Sequence, residues 1–358
     1  MSKLVIFTAP VYNIKKSYLD KVFKSFMNQT YENWELIFVD DGSKKETADY
    51  LDLLASKDNR IKVIHQKNAG VVEARRTGFR AMKNADYAAT VDPDDYLPDD
   101  AIELLVNAAE KHHADLVIGE AQKVLGNKKL KYKPNDYFPE ERAFSKSEII
   151  NELLISYFGL NRIPVTVWGK LYSKKFIPIL AEGEIVNTFI ATDSNASLNV
   201  IPHSEKAVYI NKSVYCYRTG GGTSKFRADY IDEVLNYYRY RLPFIDKYLK
   251  DFSKSGLSAY DFIALELKNE TCFYLKSYLN LKTASNEEAV KMIKALIETP
   301  EIAEAFENHE YGKRNYEYNL AMKNKDSGKV LEILKKEVDE ENKKNRLKNI
   351  VKKIVEKV

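Results

Sequence analysis

Two short acidic clusters are the parts of this sequence best suited to chemistry, and the first is Asp92-Pro93-Asp94-Asp95. Pro93 keeps Asp92 out of the helical region, and side chains two positions apart in an extended chain point the same way, so Asp92 and Asp94 can converge. Converging carboxylates repel each other unless a cation joins them, and a divalent ion held by one or two carboxylates and by phosphate oxygens is a common arrangement. The alternative is an Asp-Pro turn and a helix cap before Ala101.

The second acidic cluster is Val39-Asp40-Asp41-Gly42-Ser43, which ends an earlier predicted strand. Ligands of open α/β sheets bind outside the carboxyl ends of the strands, so both clusters are expected at one edge of the sheet. Acidic side chains there can accept hydrogen bonds from a nucleobase N–H or from ribose hydroxyls. The alternative is a helix N-cap before Glu46.

A basic pair at the start of a predicted helix completes this group of motifs. Arg75 and Arg76 follow Asn68-Ala69-Gly70 by a few residues. Guanidinium groups at a helix opening can bind phosphate oxygens. The alternative is an ordinary solvated helix face.

The elements that must position these residues follow from hydrophobic periodicity. Short β-branched runs alternate with amphipathic helical patterns, which predicts an α/β fold with a mostly parallel sheet. The predicted strands are Leu4–Ala9, Glu35–Asp40, Ile61–His65, Tyr87–Asp92, Ala114–Gln122, Val165–Tyr172 and Ala207–Arg218. The predicted helices are Tyr18–Met27, Val71–Met82, Ser145–Tyr157 with a capping-box spacing, and Asp193–Val200.

From Phe226 onward the pattern is helical. The sequence predicts a helix over Tyr230–Leu242 that Pro243 ends, and three further helical segments from Ile263 to the end of the chain. We therefore predict an α/β domain over residues 1–225 and an all-helical domain over residues 226–358, which can also mediate homo-oligomer formation.

The composition excludes several classes of protein. The chain has 358 residues, a net charge of +4 and only two cysteines, so a disulfide scaffold and a thiolate zinc site are ruled out and a reducing cytoplasm is expected. No apolar run approaches the roughly 20 residues of a membrane-spanning helix. Residues 342–358 carry seven basic residues and one acidic residue, so the basic excess belongs to this tail and indicates no nucleic-acid partner.

In order and spacing, these motifs together resemble those of the family 2 glycosyltransferases of the GT-A fold, a Rossmann-like fold that binds nucleotide sugars. The resemblance runs through Pro10-Val11-Tyr12-Asn13, the Asp40 cluster, Asn68-Ala69-Gly70 with Arg75, and Asp92-Pro93-Asp94-Asp95-Tyr96-Leu97. It implies that Pro10, Tyr12, Asp40 and Asp41 surround the nucleoside and that Arg75 approaches the base or the phosphates. It also implies that Asp92 and Asp94 bind Mn²⁺ or Mg²⁺ on the sugar diphosphate.

The resemblance extends, more loosely, to the acceptor side. Trp168-Gly169-Lys170-Leu171-Tyr172 is similar to a Lys-Leu-Tyr segment of the family, and the Glu-Asp pair that follows it is matched here by Thr192-Asp193. This implies that Asp193 is the catalytic base that deprotonates the acceptor hydroxyl. Glu182 and Glu184 are alternatives for the base, and a plain helix N-cap is an alternative for Asp193.

A last segment resembles the loop that folds over the diphosphate in the family. Tyr215-Cys216-Tyr217-Arg218 and Gly222-Thr223-Ser224 carry this resemblance, which implies that Arg218 and Thr223 bind the nucleotide sugar. The alternative is a strand-end arginine followed by a solvated turn.

The function implied is that of an inverting hexosyltransferase acting in bacterial surface polysaccharide synthesis. It would move a sugar from a nucleotide diphosphate sugar, with UDP expected, to a hydroxyl of a glycan or lipid-linked acceptor. A sugar nucleotidyltransferase shares the sheet, metal and nucleotide, and a membrane adaptor with an inactive GT-A domain is a second alternative. A glycosidase would leave Asp40, Asp41 and Arg75 without a role. The amphipathic tail at 342–358 predicts either a peripheral helix on an anionic membrane or a helix that packs on a partner.

Overall fold

The computed structural model describes residues 2–126, 128–184, 191–219, 226–308 and 316–355, with side chains only to residue 345 in the last range. These residues form two compact units, one within Met1–Asn187 and Ala191–Gly221 and the other within Gly222–Val358. The predicted boundary at residue 225 falls beside this division, in a stretch outside the described residues.

The first unit is built on one mixed sheet. In the part of the chain that the structure describes, its nine strands follow the order β3-β2-β1-β4-β8-β5-β9-β7, and β6 pairs with β5. The strands are β1 (Val5–Val11), β2 (Trp34–Asp41), β3 (Ile61–Gln66), β4 (Tyr87–Thr90), β5 (Leu116–Leu125), β6 (Lys128–Lys129), β7 (Arg142–Ser145), β8 (Lys170–Ser173) and β9 (Lys206–Arg218). Every residue of β1 is buried, as its continuous apolar run predicts for a strand covered on both faces.

Helices cover both faces of this sheet. They are α1 (Lys16–Met27), α2 (Lys45–Ala55), α3 (Val71–Ala81), α4 (Ala101–His112), α5 (Lys146–Glu148), α6 (Ile177–Glu182) and α7 (Thr192–Val200). Phe26 of α1 anchors one face of the core, with its ring centroid 5.1 Å from those of both Phe7 and Trp34. On α3, Gly78 lies so close to β1 that an added Cβ would stand 1.8 Å from Oγ1 of Thr8.

The expectation of a mostly parallel sheet, drawn from the first third of the chain, is confirmed for β1 to β4, whereas the rest of the sheet is mixed. Pairs β1–β2, β1–β4, β2–β3 and β5–β9 are parallel, whereas β8 is antiparallel to both β4 and β5, and β9 is antiparallel to β7. The sheet therefore changes direction at β8, next to the end of β4.

The strand predicted over Val165–Tyr172 begins only at Lys170. Gly169 has a positive φ of 71°, which interrupts an extended strand. The carbonyls of Pro164 and Thr166 accept hydrogen bonds from the Lys170 amine instead of a ladder partner. The capping box of Ser145 and Glu148 is present as predicted, and the helix continues as a π segment (Ile149–Leu153) and a 3₁₀ segment (Leu154–Phe158).

The second unit is mainly helical. Its helices are α8 (Tyr230–Phe244), α9 (Ala259–Leu279), α10 (Asn286–Glu298), α11 (Pro300–Asn308), α12 (Tyr316–Lys323) and α13 (Ser327–Val355). It is not all-helical as predicted, because β10 (Ser253–Lys254) and β11 (Leu257–Ser258) form a small antiparallel hairpin.

Pro243 does not end its helix. It lies inside α8, and a π segment over Ile245–Leu249 follows directly, a geometry that accommodates the missing backbone N–H. Among the described helices, none combines the length and the apolar character needed to cross a membrane. The amphipathic face predicted for residues 342–358 falls largely on side chains outside the described ones.

Candidate functional site

Arg75 joins the two acidic residues that the sequence assigns to different tasks. Its Nη2 donates to Oδ1 of Asp92 at 2.7 Å, and its Nη1 donates to Oδ1 of Asp193 at 2.5 Å. Asp92 follows β4, Arg75 lies on α3 and Asp193 lies on α7, so three separate elements converge here. The Nε of Arg75 is buried and has no hydrogen-bond partner among the described residues.

The electrostatics of this triad depend on its burial. Burial works to lower the pKa of Arg75, but the carboxylates of Asp193 and Asp92 outweigh it and raise that pKa, so the guanidinium stays charged. The pKa of Asp92 is raised, mainly by burial and then by the charges of Asp193 and Asp94, although Arg75 opposes this. The site therefore holds more negative charge than one arginine neutralises.

Asp193 is placed by helix α7. It lies in the first turn of the helix, whose N-cap is Ala191, so the alternative of a plain N-cap is wrong. Ser197, one turn further on, donates to the carbonyl of Thr166 at 2.8 Å and so ties α7 to the segment before β8. The alternative base Glu182 forms an exposed ion pair with Arg80 and does not join Asp92.

Asp94 and Asp95 differ sharply in environment. Asp95 is 2% exposed, its Oδ1 accepts the backbone N–H of Arg218 at 2.7 Å, and burial raises its pKa to about 8. The Asp94 carboxylate forms no hydrogen bond or ion pair with any residue in the described ranges. Asp94 is therefore the acid left open to an external ligand.

Asp92 and Asp94 are the candidate ligands for a divalent cation. Within the described residues no three His, Cys, Asp or Glu side chains are grouped as metal ligands. Asp92 and Asp94 supply hard oxygen donors amid excess negative charge, which fits Mg²⁺ or Mn²⁺ if ligand phosphate oxygens complete the coordination. The residues thus fit a metal that arrives with a diphosphate.

Asp40 and Asp41 lie at the end of β2 and are both almost fully buried. Asp41 accepts hydrogen bonds from Gln66 Nε2 at 2.7 Å and from the backbone N–H groups of Ala69 and Gly70, each at 2.8 Å. With three donors on its two oxygens, the Asp41 carboxylate holds the loop over residues 66–70 in place. The N-cap of α2 is Lys44, so neither acid is the helix cap that the alternative proposed.

Pro10 and Tyr12 lie at the same sheet edge. Pro10 is a buried residue of β1, and Tyr12, directly after the strand, is 54% exposed. The turn that follows is fixed because the backbone N–H of Asn13 donates to Ser43 Oγ and the Asn13 side chain accepts from the backbone N–H of Lys44, both at 2.9 Å. Tyr12 therefore presents an exposed ring beside the Asp40 cluster.

The guanidinium group of Arg218 is largely engaged in contacts within the protein. Its Nε donates to the carbonyl of Asp94 at 2.9 Å, its Nη1 donates to the carbonyl of Gly126 at 2.8 Å, and its guanidinium lies 4.4 Å from the ring centroid of Tyr18. Its buried Nη2 has no hydrogen-bond partner among the described residues and can donate to an anionic ligand there. Thr223, predicted to bind the same ligand, lies outside the described residues.

Sequence reasoning missed the role of Lys170. This side chain is 1% exposed, its Nζ donates to the carbonyl of Pro164 at 2.8 Å and to that of Thr166, and burial lowers its pKa to about 7. Asp193 and Glu120 are the charges that oppose this lowering. The Lys-Leu-Tyr resemblance marked the position, but nothing in the sequence indicated that the amine faces inward.

An aromatic stack borders the same site. Trp168 stacks on Tyr215 with centroids 4.3 Å apart and on Tyr217 with centroids 5.5 Å apart. The Tyr215 hydroxyl accepts the backbone N–H of Asp92 at 2.9 Å. The stack thus supports the acidic segment from one side, and Tyr217 remains 38% exposed.

The sequence matches a protein-family model and several individual glycosyltransferases. Residues 8–173 match the family model described as Glycosyl transferase family 2. The glycosyltransferase GlyG of Streptococcus pneumoniae is 28% identical over 302 residues, which cover 78% of the chain and 97% of GlyG. GlyA of the same species is 30% identical over 217 residues, which cover 60% of the chain and only 30% of GlyA.

The structural comparison shows the fold. The S. aureus TarS 1-349 structure in complex with UDP-GlcNAc superposes with a TM-score of 0.63 at 17% identity, covering 96% of this chain and 92% of that one. The complex of TarS 1-349 with UDP superposes with a TM-score of 0.62 at 15% identity and the same coverage.

Proposed function

Because residues 8–173 belong to glycosyltransferase family 2 and the chain has the GT-A fold, we propose that it transfers a sugar from a UDP-sugar to a hydroxyl of a glycan or lipid-linked acceptor. The observation that carries this proposal is the pairing of Arg75 with both Asp92 and Asp193. Asp92, which is suited to the donor diphosphate, and Asp193, which is suited to proton transfer, are thereby hydrogen-bonded to the two Nη atoms of one guanidinium.

Two lines of support favour a UDP-sugar as the donor. The TarS structures that share this fold hold UDP and UDP-GlcNAc. In this chain, Tyr12, Asp40 and Asp94 lie at the carboxyl ends of β1, β2 and β4, where α/β sheets bind nucleotides.

We propose a single displacement with inversion, carried out by the chain's own residues. The Asp193 carboxylate takes the proton of the acceptor hydroxyl, and the acceptor oxygen bonds to the anomeric carbon. The bond from that carbon to the diphosphate oxygen breaks, and its electron pair leaves with UDP. Arg75 forms an ion pair with the Asp193 carboxylate and so orients it within the site.

The departing diphosphate is the group whose charge must be stabilised. A divalent ion held by Asp92 and Asp94 would supply positive charge to the phosphate oxygens. Arg218 has one unpartnered Nη2 beside the Asp94 backbone and can donate to the same anion.

A screen of UDP-sugars tests the proposal. The purified chain is incubated with each UDP-sugar and Mn²⁺ or Mg²⁺, and released UDP and pyrophosphate are measured separately, with thermal unfolding recorded in parallel. We expect at least one UDP-sugar to raise the unfolding temperature by mass action and to release UDP. Release of pyrophosphate instead, on supplying a sugar phosphate and UTP, would identify a nucleotidyltransferase and refute the proposal.

A further inference from the structure

Lys170 at the start of β8 is a buried amine without an acidic partner. Its side chain is 1% exposed, and its Nζ donates to the carbonyl of Pro164 at 2.8 Å and to that of Thr166. Among the described residues, no carboxylate forms an ion pair with it. An apolar side chain of similar size would fill this space without the cost of burying an amine, so stability alone does not account for a lysine here.

The segment before β8 depends on side chains for its hydrogen bonds. It belongs to no strand, so its carbonyls have no ladder partner. Lys170 binds two of them, and the hydroxyl of Tyr172 donates to a third, that of Val167, at 3.0 Å. The amine of Lys170 therefore takes the place of a neighbouring strand for this segment.

The carbonyl of Thr166 connects Lys170 to helix α7. A carbonyl oxygen has two acceptor positions, and here the amine of Lys170 and the hydroxyl of Ser197 take both, the second at 2.8 Å. Ser197 is 1% exposed, and its Oγ is also 3.2 Å from the hydroxyl of Tyr172. Helix α7 is thus attached to the very carbonyl that Lys170 holds.

Asp193 lies four residues before Ser197 on α7. Residues four apart in an α-helix are neighbours on one face, so the anchor at Ser197 also fixes where Asp193 stands. The Asp193 side chain is 27% exposed, and only its Oδ1, which accepts from Arg75, is hydrogen-bonded to a described residue. Its Oδ2 can therefore be reached by an acceptor hydroxyl, and its position depends on how α7 is attached.

We propose that Lys170 is a positioning residue for Asp193, because it fixes the carbonyl to which Ser197 attaches α7 and so holds the Asp193 carboxylate where it meets the acceptor hydroxyl. The inference rests on the proposed function, since it assumes that Asp193 is the base. Lys170 acts through Thr166 and Ser197 and contacts neither the donor nor the acceptor.

Two substitutions each remove one donor from the Thr166 carbonyl, Lys170→Met and Ser197→Ala. The wild type, both variants and the double variant are compared as the full chain. Each is incubated with Mn²⁺ and with UDP-GlcNAc, UDP-glucose or UDP-galactose, with water as the acceptor, and released UDP gives kcat. UDP affinity is measured by calorimetry, and unfolding temperatures identify any variant that does not fold.

The expected result is a loss of turnover without a loss of nucleotide binding. Lys170→Met should lower kcat by about 10- to 100-fold, as a displacement of a reacting group by about 1 Å does, and leave UDP affinity within about twofold of the wild type. Ser197→Ala should lower kcat by about fivefold, the value of one neutral hydrogen bond. The double variant should be no slower than Lys170→Met, since both act through one carbonyl.

Two further comparisons separate positioning from a general structural role. Lys146→Met is the matched control, because the Lys146 amine also donates to two backbone carbonyls, at 2.7 and 3.0 Å, but not in the segment before β8. It should keep the kcat of the wild type. In an Asp193→Asn background, Lys170→Met should slow the remaining UDP release no further, because the group that it positions no longer takes a proton.

Four outcomes would overturn the role of Lys170. They are an unchanged kcat in Lys170→Met, a UDP affinity that falls together with kcat, an equal fall in Lys146→Met, and effects that multiply in either double variant. If Lys170→Met does not fold, Ser197→Ala decides, and an unchanged kcat there overturns the inference. A wild-type chain that binds no UDP and releases none would count against the proposed function rather than against the positioning role.

Discussion

Arg75 and Asp193 form a partly buried ion pair although 118 residues separate them in the sequence. This pair connects the half of the sheet that carries the nucleotide motifs with the helix that begins at Thr192. The arginine that the sequence assigned to phosphate or base therefore also orients the proposed catalytic base.

Asp193→Asn should stop turnover and leave donor binding intact. The amide oxygen can still accept from Arg75, so the geometry is kept, but the group no longer takes a proton. We expect kcat to fall by about 10² to 10⁴, the usual contribution of general base catalysis, with UDP affinity unchanged. Release of UDP at a near-normal rate would show that another group is the base.

Asp94→Asn should separate metal binding from nucleoside binding. The Asp94 carboxylate has no hydrogen-bond or ion-pair partner among the described residues, so replacing it by an amide costs the fold little. We expect the Mn²⁺-dependent part of UDP affinity to be lost, with uridine affinity retained. The check is a UDP titration with and without Mn²⁺, and retention of the full metal effect would contradict the assignment.

Arg75→Lys should impair both stability and turnover. A single ammonium cannot reproduce two separate guanidinium bonds to Asp92 and Asp193, so one partly buried carboxylate loses its partner. We expect a loss of about 3 kcal/mol in unfolding free energy and a fall in kcat. Arg80→Lys is the matched control on the same helix, because its acid partners are solvent-exposed. Equal effects of the two substitutions would argue against a special role for Arg75.

Lys170→Met should change how stability depends on pH. The pKa of Lys170 is about 7 in the folded chain and near 10.5 when unfolded, so between these values the unfolded state binds more protons. The wild type therefore gains stability with rising pH in this window, on the order of 1 kcal/mol per pH unit. Denaturant unfolding at several pH values should show this gain relative to Lys170→Met, whereas parallel profiles would place the titration elsewhere.

Gly78→Ala should destabilise the packing of α3 on β1. The added Cβ would stand 1.8 Å from Oγ1 of the buried Thr8, so the helix and strand must separate. We expect a loss of about 2 kcal/mol by denaturant unfolding. Gly328→Ala on α13, where the nearest atom would be 3.6 Å away, is the control and should be neutral or stabilising. A tolerated Gly78→Ala would show that this contact relaxes easily.

The sequence was sufficient to predict at which edge of the sheet the candidate site lies. Asp40 and Asp92 each follow a run of apolar residues, and parallel strands bring such ends together, so their shared location follows from pattern alone. Helices α1 and α3 and strands β1 to β4 were predicted within a few residues because their hydrophobic periodicity reflects burial.

The partners of these side chains could not be predicted in the same way. Asp41 binds a loop whose backbone N–H groups carry no sequence signal, and the inward direction of Lys170 depends on carbonyls freed by the turn at Gly169. Pro243 was misjudged because a π segment can absorb a missing N–H, which depends on packing rather than on local preference.

The change of strand direction at β8 divides the sequence into two stretches that can diverge separately in evolution. The residues proposed for the nucleotide, apart from Arg218 and Thr223, lie in the first 95 positions, whereas Lys170 and Asp193 come after the chain has turned back through β8. The gene thus encodes the two sides of the reaction in largely separate stretches. A single recombination event between Asp95 and Trp168 would exchange the proposed acceptor side together with Arg218 and Thr223, while the nucleotide residues in the first 95 positions stay in place.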